Sequence, residues 1–273
     1  MTIELAHGLH PSVPESEYHA RIPGVASKSV LDLVDRSPAH YAAWLAGAQQ
    51  EETPALAFGK AFHCALLEPD IFARTHVRLA SFGDCRKKEN KLARDAWKAE
   101  NGGKVGVDPD DYLRIEAMIA AVRKHPLASR MIRDGLPEAT LRWQDTETGI
   151  ECKSRADYYV PELAMVVDVK TTEDARGNSF AKSCANYRYH VQQALYESGF
   201  ATIGKRLAHF LFVAVEKAAP HGVMVHRLDE DATARGWRAA QRNLETMRQC
   251  IELDQWPGYD TSINTLSLPP WAA

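Results

Sequence analysis

The chain has 273 residues, of which 45% are hydrophobic and 25% are charged, and its formal net charge at pH 7 is −3. This length and composition are typical of a globular protein with one large domain or two small ones. The negative net charge excludes a protein that attracts nucleic acid through an overall positive field, so any DNA binding must depend on local patches. Residues 86–104 are the most basic local stretch, although a mixed-charge helix is more often a solvated face.

No apolar stretch approaches the roughly 20 residues that a helix needs to cross a bilayer. The first ten residues also lack the basic and then apolar layout of a secretion signal, so we expect a cytoplasmic protein with no membrane partner. The five cysteines are dispersed without a C-x-x-C pair, which argues against a disulfide framework, a zinc site and an iron–sulfur cluster. We expect these residues to fill the core: Cys64, Cys85, Cys152, Cys184 and Cys250.

The first 135 residues are predicted to be mostly helical. Serines precede the first predicted helix, Ser37-Pro38 opens the second, and Pro69 ends the third. The predicted helices are residues 27–35, 38–45, 55–68, 87–100 and 109–124.

A three-strand meander is predicted next, and its first two strands are joined by the turn sequence D-T-E-T-G. The elements from there on are strands at 139–144, 150–160 and 164–170, a helix at about 185–201, strands at 207–216 and 222–228, and a helix at 230–253. This order predicts an α/β fold in which helices flank a mixed central β-sheet. We expect one domain over residues 1–273, with a helical N-terminal part at about 20–135, a core at about 136–253 and an irregular tail at 254–273.

The second and third predicted strands bring two aspartates opposite each other. If a two-residue turn at Glu162-Leu163 joins these strands, the residue numbers of each cross-strand pair add up to 325, which places Asp157 opposite Asp168. Directly opposed like charges destabilise a sheet, so such a pair is easiest to keep when a cation lies between the carboxylates. A slip of one residue in the register would move Asp157 to the other face.

Lys170 lies two residues after Asp168 and therefore projects from the same face of the strand. An acid and a lysine at this spacing are commonly a solvated strand edge. Here the alternating apolar residues Met165, Val167 and Val169 indicate an internal strand, where unpaired charges are costly. Two acids and a lysine that converge on one spot predict a site that binds Mg²⁺ and hydrolyses a phosphodiester.

Other polar residues are candidates for the same site. His63 lies within the apolar predicted helix at 55–68, where a lone histidine is more often a hydrogen-bonded core residue than a ligand. Glu138 follows Pro137 at the start of a strand, and an exposed strand-end carboxylate is as plausible as a metal ligand. Gln192 and Tyr196 are four residues apart and share one helix face, although Tyr196 alone could be a core aromatic.

Taken in order, these residues resemble the PD-(D/E)XK nuclease superfamily. The pattern is His63, Glu138, Asp157, Asp168-Val169-Lys170 and Gln192-x-x-x-Tyr196. Five longer phrases resemble the nuclease domain of the RecE (exonuclease VIII) family: SKSVLDLVDRSPAHY, FGKAFHCALLEP, ECKSRADYYVPE, VVDVKTT and YRYHVQQALYESG. The resemblance runs from about residue 20 to residue 230.

This resemblance implies roles for the matched residues. His63, Asp157 and Asp168 would bind Mg²⁺, for which Mn²⁺ would substitute, with the backbone carbonyl of Val169 and the carboxylate of Glu138 as further ligands. Lys170 would be the catalytic lysine. Gln192 and Tyr196 would support the site and the scissile strand. As contacts to a 5′ phosphate we expect Arg155, Lys28 and Ser29.

The resemblance also implies an activity and partners. The expected enzyme is a metal-dependent exonuclease that degrades linear double-stranded DNA 5′→3′ to 5′-mononucleotides. It would leave a 3′ single strand for recombination. The expected assembly is a homo-oligomeric ring around DNA, with a tetramer favoured over a trimer, which would work with a single-strand annealing protein of RecT type in a bacterial or phage genome. Two alternatives stay open, an endonuclease of the same superfamily and a non-catalytic DNA-end-binding subunit.

Overall fold

A computed structural model describes residues 5–48, 53–84 and 86–267. The helices are α1 (Glu15–Tyr18), α2 (Lys28–Arg36), α3 (Pro38–Leu45), α4 (Pro54–Leu67), α5 (Pro69–Thr75), α6 (Lys88–Glu100), α7 (Pro109–Lys124), α8 (Ala128–Met131), α9 (Gly177–Asn186), α10 (Tyr189–Thr202) and α11 (Glu230–Leu253). The strands are β1 (Gly8–His10), β2 (Val25–Ala26), β3 (His76–Arg78), β4 (Val105–Val107), β5 (Leu136–Gln144), β6 (Glu151–Val160), β7 (Met165–Thr172), β8 (His209–Glu216) and β9 (Val223–His226).

The main sheet has the strand order β1-β5-β6-β7-β8-β9, with β2 paired to the start of β6. The β7–β8 and β2–β6 pairs are parallel and the other pairs of this sheet are antiparallel. A separate small sheet joins β3 and β4 in parallel. The protein is therefore an α/β fold with a mixed central sheet, as the sequence predicts.

Buried residues cover both faces of the main sheet. On one face α2, α9, α10 and α11 pack over a cluster that includes Trp143, Tyr159 and Phe212. On the other face α4 and α7 pack over Val167 and Val169. Met165, Val167 and Val169 of β7 lie in the second cluster and Val166 lies in the first, because side chains alternate along a strand. This confirms that β7 is internal.

The helix-start signals in the sequence work as expected. The Ser27 side chain accepts a hydrogen bond from the Val30 backbone N–H and so caps α2. Pro38 opens α3, and Thr53 and Asp229 cap α4 and α11 in the same way as Ser27 caps α2. The bounds of these helices fall within a residue or two of the predicted ones.

Several predicted bounds differ from the structure. The helix predicted at about 185–201 is α10, which begins at Tyr189, and the helix before it, α9, was not predicted; Arg188, in a left-handed conformation (φ 54°), separates the two. The strand predicted at 222–228 is shorter. The first long strand begins at Leu136 rather than 139, so Glu138 lies inside β5 instead of opening it. Pro137 is tolerated there because β1 pairs only with residues 140–142.

Two further segments match their predictions. No side chain of α6 is buried, so the helix in the basic stretch 86–104 is a solvated one. In the described part of the tail, residues 254–267, no helix or strand forms.

Cys152, Cys184 and Cys250 are buried and Cys64 is half-buried, as expected of core cysteines, whereas Cys85 lies outside the described residues. No helix in the described ranges is both long and apolar enough to cross a membrane.

Candidate metal centre and active site

Three potential metal ligands from α4 and two neighbouring strands of the main sheet come together. His63 of α4, Glu138 of β5 and Asp157 of β6 each offer a ligand atom, and these atoms lie within 4.8 Å of one another. The His63 Nδ1 atom lies 3.5 Å from Asp157 Oδ2. The sequence pattern placed all three among the candidates, and the fold brings them together.

The β6–β7 turn sets the register that the sequence predicts. Pro161 opens a short 3₁₀ turn, and the Ala164 backbone N–H donates to the Pro161 carbonyl at 3.0 Å. The paired residues are Tyr158 with Val167, Tyr159 with Val166 and Val160 with Met165, and the numbers of each pair add up to 325. This confirms the predicted register on the turn side of the aspartates.

The paired ladder stops just before Asp157 and Asp168. In place of the next backbone pair, Asp157 Oδ2 accepts a hydrogen bond from the Val169 backbone N–H at 2.8 Å. On its other side, Asp157 lies in register with Glu138, which adopts a positive φ of 48° while the residues on either side stay paired. A left-handed conformation is strained for a glutamate, and such strain is common at functional sites. The three acids thus lie at one level of three neighbouring strands.

Asp168 and Lys170 form a buried ion pair beside this cluster. Asp168 is fully buried, and its Oδ1 atom is paired with the Lys170 ammonium but accepts no hydrogen bond of ordinary geometry. Its Oδ2 atom accepts a hydrogen bond from the Gln192 side-chain amide. Asp168 lies outside the group formed by the other two acids and His63.

Helix α10 supports this arrangement from the opposite face of the sheet. Gln192 Nε2 donates to Asp168 and lies 3.4 Å from the hydroxyl of Tyr196. The Tyr196 hydroxyl in turn donates to the Arg155 backbone carbonyl at 2.7 Å. One face of α10 is therefore hydrogen-bonded to β7 and β6 at the level of the acids. Gln192 and Tyr196 share this face, as their four-residue spacing predicts.

Burial and like charges shift the carboxyl groups toward protonation. Burial, followed by the charge of Asp157, raises the pKa of Glu138 to about 8. Burial also raises the pKa of Asp168 to about 6, against the opposing effect of Lys170. The pKa of Asp157 is raised by burial as well. Carboxylates held this close are costly to ionise together without a cation.

The basic groups of the site are shifted in opposite directions. Burial, with Lys170 nearby, lowers the pKa of His63 to about 4, although a hydrogen bond with the Val169 backbone opposes this. Its imidazole is therefore neutral at pH 7, the form that binds metals. Burial lowers the pKa of Lys170, but the charges of Asp168 and Asp157 outweigh it and hold the pKa above its usual value. Lys170 is therefore an ammonium cation.

A family model described as a PDDEXK-like domain of unknown function (DUF3799) matches residues 27–268, which is most of the chain. The chain belongs to this PDDEXK-like family. A solved structure from Eubacterium rectale, described as a "Putative exonuclease", is similar in fold, with a TM-score of 0.59 at 14% sequence identity. The alignment covers 92% of this chain and 96% of that one. Among curated proteins no match is found.

Membership of the PDDEXK-like family supports the conclusion that the protein is a nuclease. The donor set of His63, Glu138 and Asp157 fits the divalent cation that such enzymes usually use. Carboxylate oxygens are the ligands that Mg²⁺ and Mn²⁺ prefer, and Glu138 and Asp157 supply them. Neutral His63 adds a nitrogen donor, and a cation would favour the ionised form of Glu138, whose pKa is raised by burial and then by the charge of Asp157. The residues therefore fit a divalent metal, whose identity the donor set leaves open.

The residues expected to contact a 5′ phosphate lie in different surroundings. Arg155 Nε is 2.8 Å from Glu138 Oε2, so its guanidinium adjoins the candidate metal ligands. Lys28 Nζ lies 2.5 Å from Asp32 Oδ2 and 2.7 Å from the Tyr187 carbonyl. Ser29 is exposed near the start of α2. Their roles, like those of Val169 and the other matched residues, stay predictions.

Two tyrosines of the site were not predicted. The ring of Tyr18 lies 4.4 Å from the Arg155 guanidinium carbon and also lines a cavity of about 780 Å³ between the N-terminal segment and strands β5 and β6. The ring of Tyr189 lies 4.7 Å from Lys170 Nζ. The tyrosine-rich segment at the start of α10 is visible in the sequence, but nothing in its spacing connects Tyr189 to Lys170. Tyr18 comes from an N-terminal segment whose position depends entirely on tertiary packing.

Proposed function

We propose that the protein is a metal-dependent exodeoxyribonuclease. The proposal depends chiefly on one observation: His63, Glu138 and Asp157 meet within 4.8 Å of one another beside the buried Asp168–Lys170 pair. Family membership supports the coarser conclusion of a nuclease, because the PDDEXK-like name refers to the acids and the lysine of this constellation. The finer activity is a proposal that these residues support.

The proposed chemistry begins with the metal ligands. His63, Glu138 and Asp157 would hold the cation, with Asp168 and the Val169 carbonyl as further candidates. A bound Mg²⁺ or Mn²⁺ would supply charge neutralisation for phosphate oxygens and would acidify water. The Val169 N–H donates to Asp157 Oδ2, so the Asp157 carboxylate is oriented before any metal binds.

Lys170 would act as a fixed positive charge. Its pKa is held above the usual value by Asp168 and Asp157, so it is a poor proton acceptor while both are charged. A charged ammonium at this position can orient the attacking water and stabilise the negative charge that develops on the phosphoryl oxygens. Gln192 keeps Asp168 in place, and Asp168 in turn keeps the Lys170 ammonium in place.

The proposed substrate and product follow from the resemblance described above. The enzyme would degrade linear double-stranded DNA 5′→3′, release 5′-mononucleotides and leave a 3′ single strand for recombination. A homo-oligomeric ring would bring an acidic chain around DNA because only the lining of its channel needs to be basic. A RecT-type annealing protein would then receive the single strand.

Linear duplex labelled separately at each 5′ and 3′ end, incubated with Mg²⁺, Mn²⁺ or Ca²⁺, tests this proposal. We expect early release of the 5′ label as mononucleotide with Mg²⁺ and Mn²⁺, while a closed circular duplex stays intact. Cleavage of the closed circle would identify an endonuclease instead. Binding without nucleotide release under any of these metals would identify a non-catalytic end-binding subunit.

A further inference from the structure

A short column of aromatic rings leads from the core to the surface next to Lys170. Phe212 of β8 is fully buried, and the Tyr189 ring lies 5.9 Å from it at an interplanar angle of 26°. The Tyr187 ring stacks on Tyr189 with centroids 5.7 Å apart and an angle of 23°. Tyr187 ends the column, and 62% of its surface is exposed.

This column adjoins the proposed catalytic lysine. Tyr189 lies with its ring 4.7 Å from Lys170 Nζ, so Tyr187 stacks on the residue that covers the lysine. The Tyr187 backbone carbonyl accepts a hydrogen bond from Lys28 Nζ at 2.7 Å. An exposed aromatic ring and a cation at the start of α2 therefore lie on one side of the Asp168–Lys170 pair.

The exposed ring is carried by a fixed segment of backbone. The next residue, Arg188, bridges Asp32 and Asp35 of α2, with both nitrogen–oxygen distances at 3.0 Å. The Arg188 Nη2 atom, which pairs with Asp35, also donates to the side-chain oxygen of Asn243 in α11 at 2.7 Å. Contacts with two helices hold this junction between α9 and α10, so the Tyr187 ring loses little freedom when a flat partner stacks on it.

We propose that Tyr187, supported by Tyr189, is a stacking platform for one nucleobase of the DNA strand being cleaved. This inference rests on the proposed function, since it places the base next to the phosphodiester at Lys170. Aromatic rings stack with any base because every base has a π-face, so the platform would bind the strand without choosing its sequence. A base that leaves the duplex to stack there would also help separate the terminal nucleotide from its complement.

The test uses binding in Ca²⁺ to duplexes with a short unpaired 5′ end, in which the fluorescent base 2-aminopurine is placed at successive unpaired positions. Stacking quenches this fluorophore. We expect quenching at one position with the unmodified protein and with Tyr187→Phe, and its loss with Tyr187→Ala. Base stacking of about 1–3 kcal/mol corresponds to a loss of affinity of about 5- to 150-fold in Tyr187→Ala.

Tyr259 offers a matched control. It lies in the part of the chain that follows α11, is 66% exposed and packs against His40 of α3. Tyr259→Ala should leave both the affinity and the quenching unchanged. Melting curves of all three variants verify that each is folded.

The outcomes separate the platform from the activity. Unchanged affinity and quenching in Tyr187→Ala would overturn the platform, even if the unmodified protein digests DNA. Quenching that depends on Tyr187 in a protein that releases no nucleotides with Mg²⁺ or Mn²⁺ would support the platform and overturn the nuclease. A protein that binds no DNA would overturn both.

Discussion

At the scale of single residues, the buried ion pair of Asp168 and Lys170 bears on both the folding stability and the proposed activity. In the absence of metal, each charge is the main compensation for the burial of the other. In the proposed reaction the same ammonium has to serve a phosphate. Removing one member of a buried ion pair strands the other charge, which is more damaging than losing an exposed pair. Stability and activity therefore depend on the same contact.

Replacement of Lys170 by methionine tests this dependence. We expect Lys170→Met to lower the free energy of unfolding in EDTA by about 3–5 kcal/mol, because Asp168 stays buried without its partner. Nuclease activity with Mg²⁺ should be abolished. Urea denaturation and nucleotide release measure the two effects.

Lys217 provides the control for that substitution. It pairs with Glu173, which is 79% exposed, so Lys217→Met should change stability by only about 0–1 kcal/mol. Its activity should be that of the unmodified protein. Equal destabilisation by the two substitutions would contradict the special burial of the Asp168–Lys170 pair.

Glu138 makes metal-free stability depend on pH. Its pKa in the folded protein is raised from 4.5 to about 8, so folding favours the protonated form. The contribution of protonated Glu138 to the free energy of unfolding is fully present below pH 4.5 and is lost as the pH rises through about 8. We expect the melting temperature in EDTA to fall between pH 6 and pH 8, because the stability contributed through Asp168, whose pKa is raised from 3.8 to about 6, is largely lost at the start of this range.

Glu138→Gln separates this contribution from the rest of the protein. The variant should lose the decrease between pH 6 and pH 8 and should be more stable than the unmodified protein at pH 8 in EDTA. Addition of Mg²⁺ should stabilise the unmodified protein at pH 8 more than the variant, because the variant lacks one ligand. A variant with the same pH profile as the unmodified protein would show that Glu138 is not buried against Asp157.

At the scale of elements, α10 links the core to the site. Gln192 and Tyr196 bond to the strands, while Gly199, one turn later, lies against the ring of Trp143. A Cβ atom at Gly199 would meet that ring at 2.8 Å. On its other side, α10 contacts α11 through Gly236, where a Cβ atom would lie 2.1 Å from the His190 carbonyl oxygen. Two glycines thus fix how close α10 comes to its neighbours.

Gly199→Ala tests whether the position of α10 controls the site. Trp143 is fully buried and cannot move away freely, so we expect a loss of about 1–3 kcal/mol from overpacking. The helix should shift outward, weaken the contact of Gln192 with Asp168 and reduce activity as well. Denaturation and nucleotide release measure the two losses.

Gly177→Ala is the matched control for that helix shift. No atom lies within 4 Å of a Cβ atom at Gly177, which opens α9, and its φ is not in the left-handed range. Stability should stay the same or rise slightly. If Gly199→Ala behaved like this control, the packing of α10 against Trp143 would not set the geometry of the site.

The elements also show what the sequence could predict. Caps, prolines and periodicity are local signals, so α2, α3, α7 and α11 match their predicted bounds closely. The cross-strand register was predictable because the Pro161–Ala164 turn leaves little choice of pairing. The break at Arg188 and the left-handed Glu138 were not, because tertiary contacts impose both. The approach of Tyr18 to Arg155 depends on long-range packing and leaves no local signal.

At the scale of the whole molecule, the charge balance has to be reconciled with DNA. The net charge is −3, so a lone protomer gains little from long-range attraction to phosphates. Several cations near the site already have acidic partners, such as Arg155 with Glu138 and Lys28 with Asp32. Affinity for long DNA would therefore have to come from topology or from several protomers acting together.

The proposed ring makes a prediction about mass and processivity. Light scattering should give a molar mass three or four times that of the 30.4 kDa protomer, with the larger value favoured. A ring that encircles its substrate cannot dissociate sideways. Digestion of labelled duplex that is already under way should therefore continue after a large excess of unlabelled linear DNA is added. A single-protomer mass, together with digestion that stops on addition of the competitor, would exclude encirclement and leave a distributive nuclease that binds one DNA end at a time.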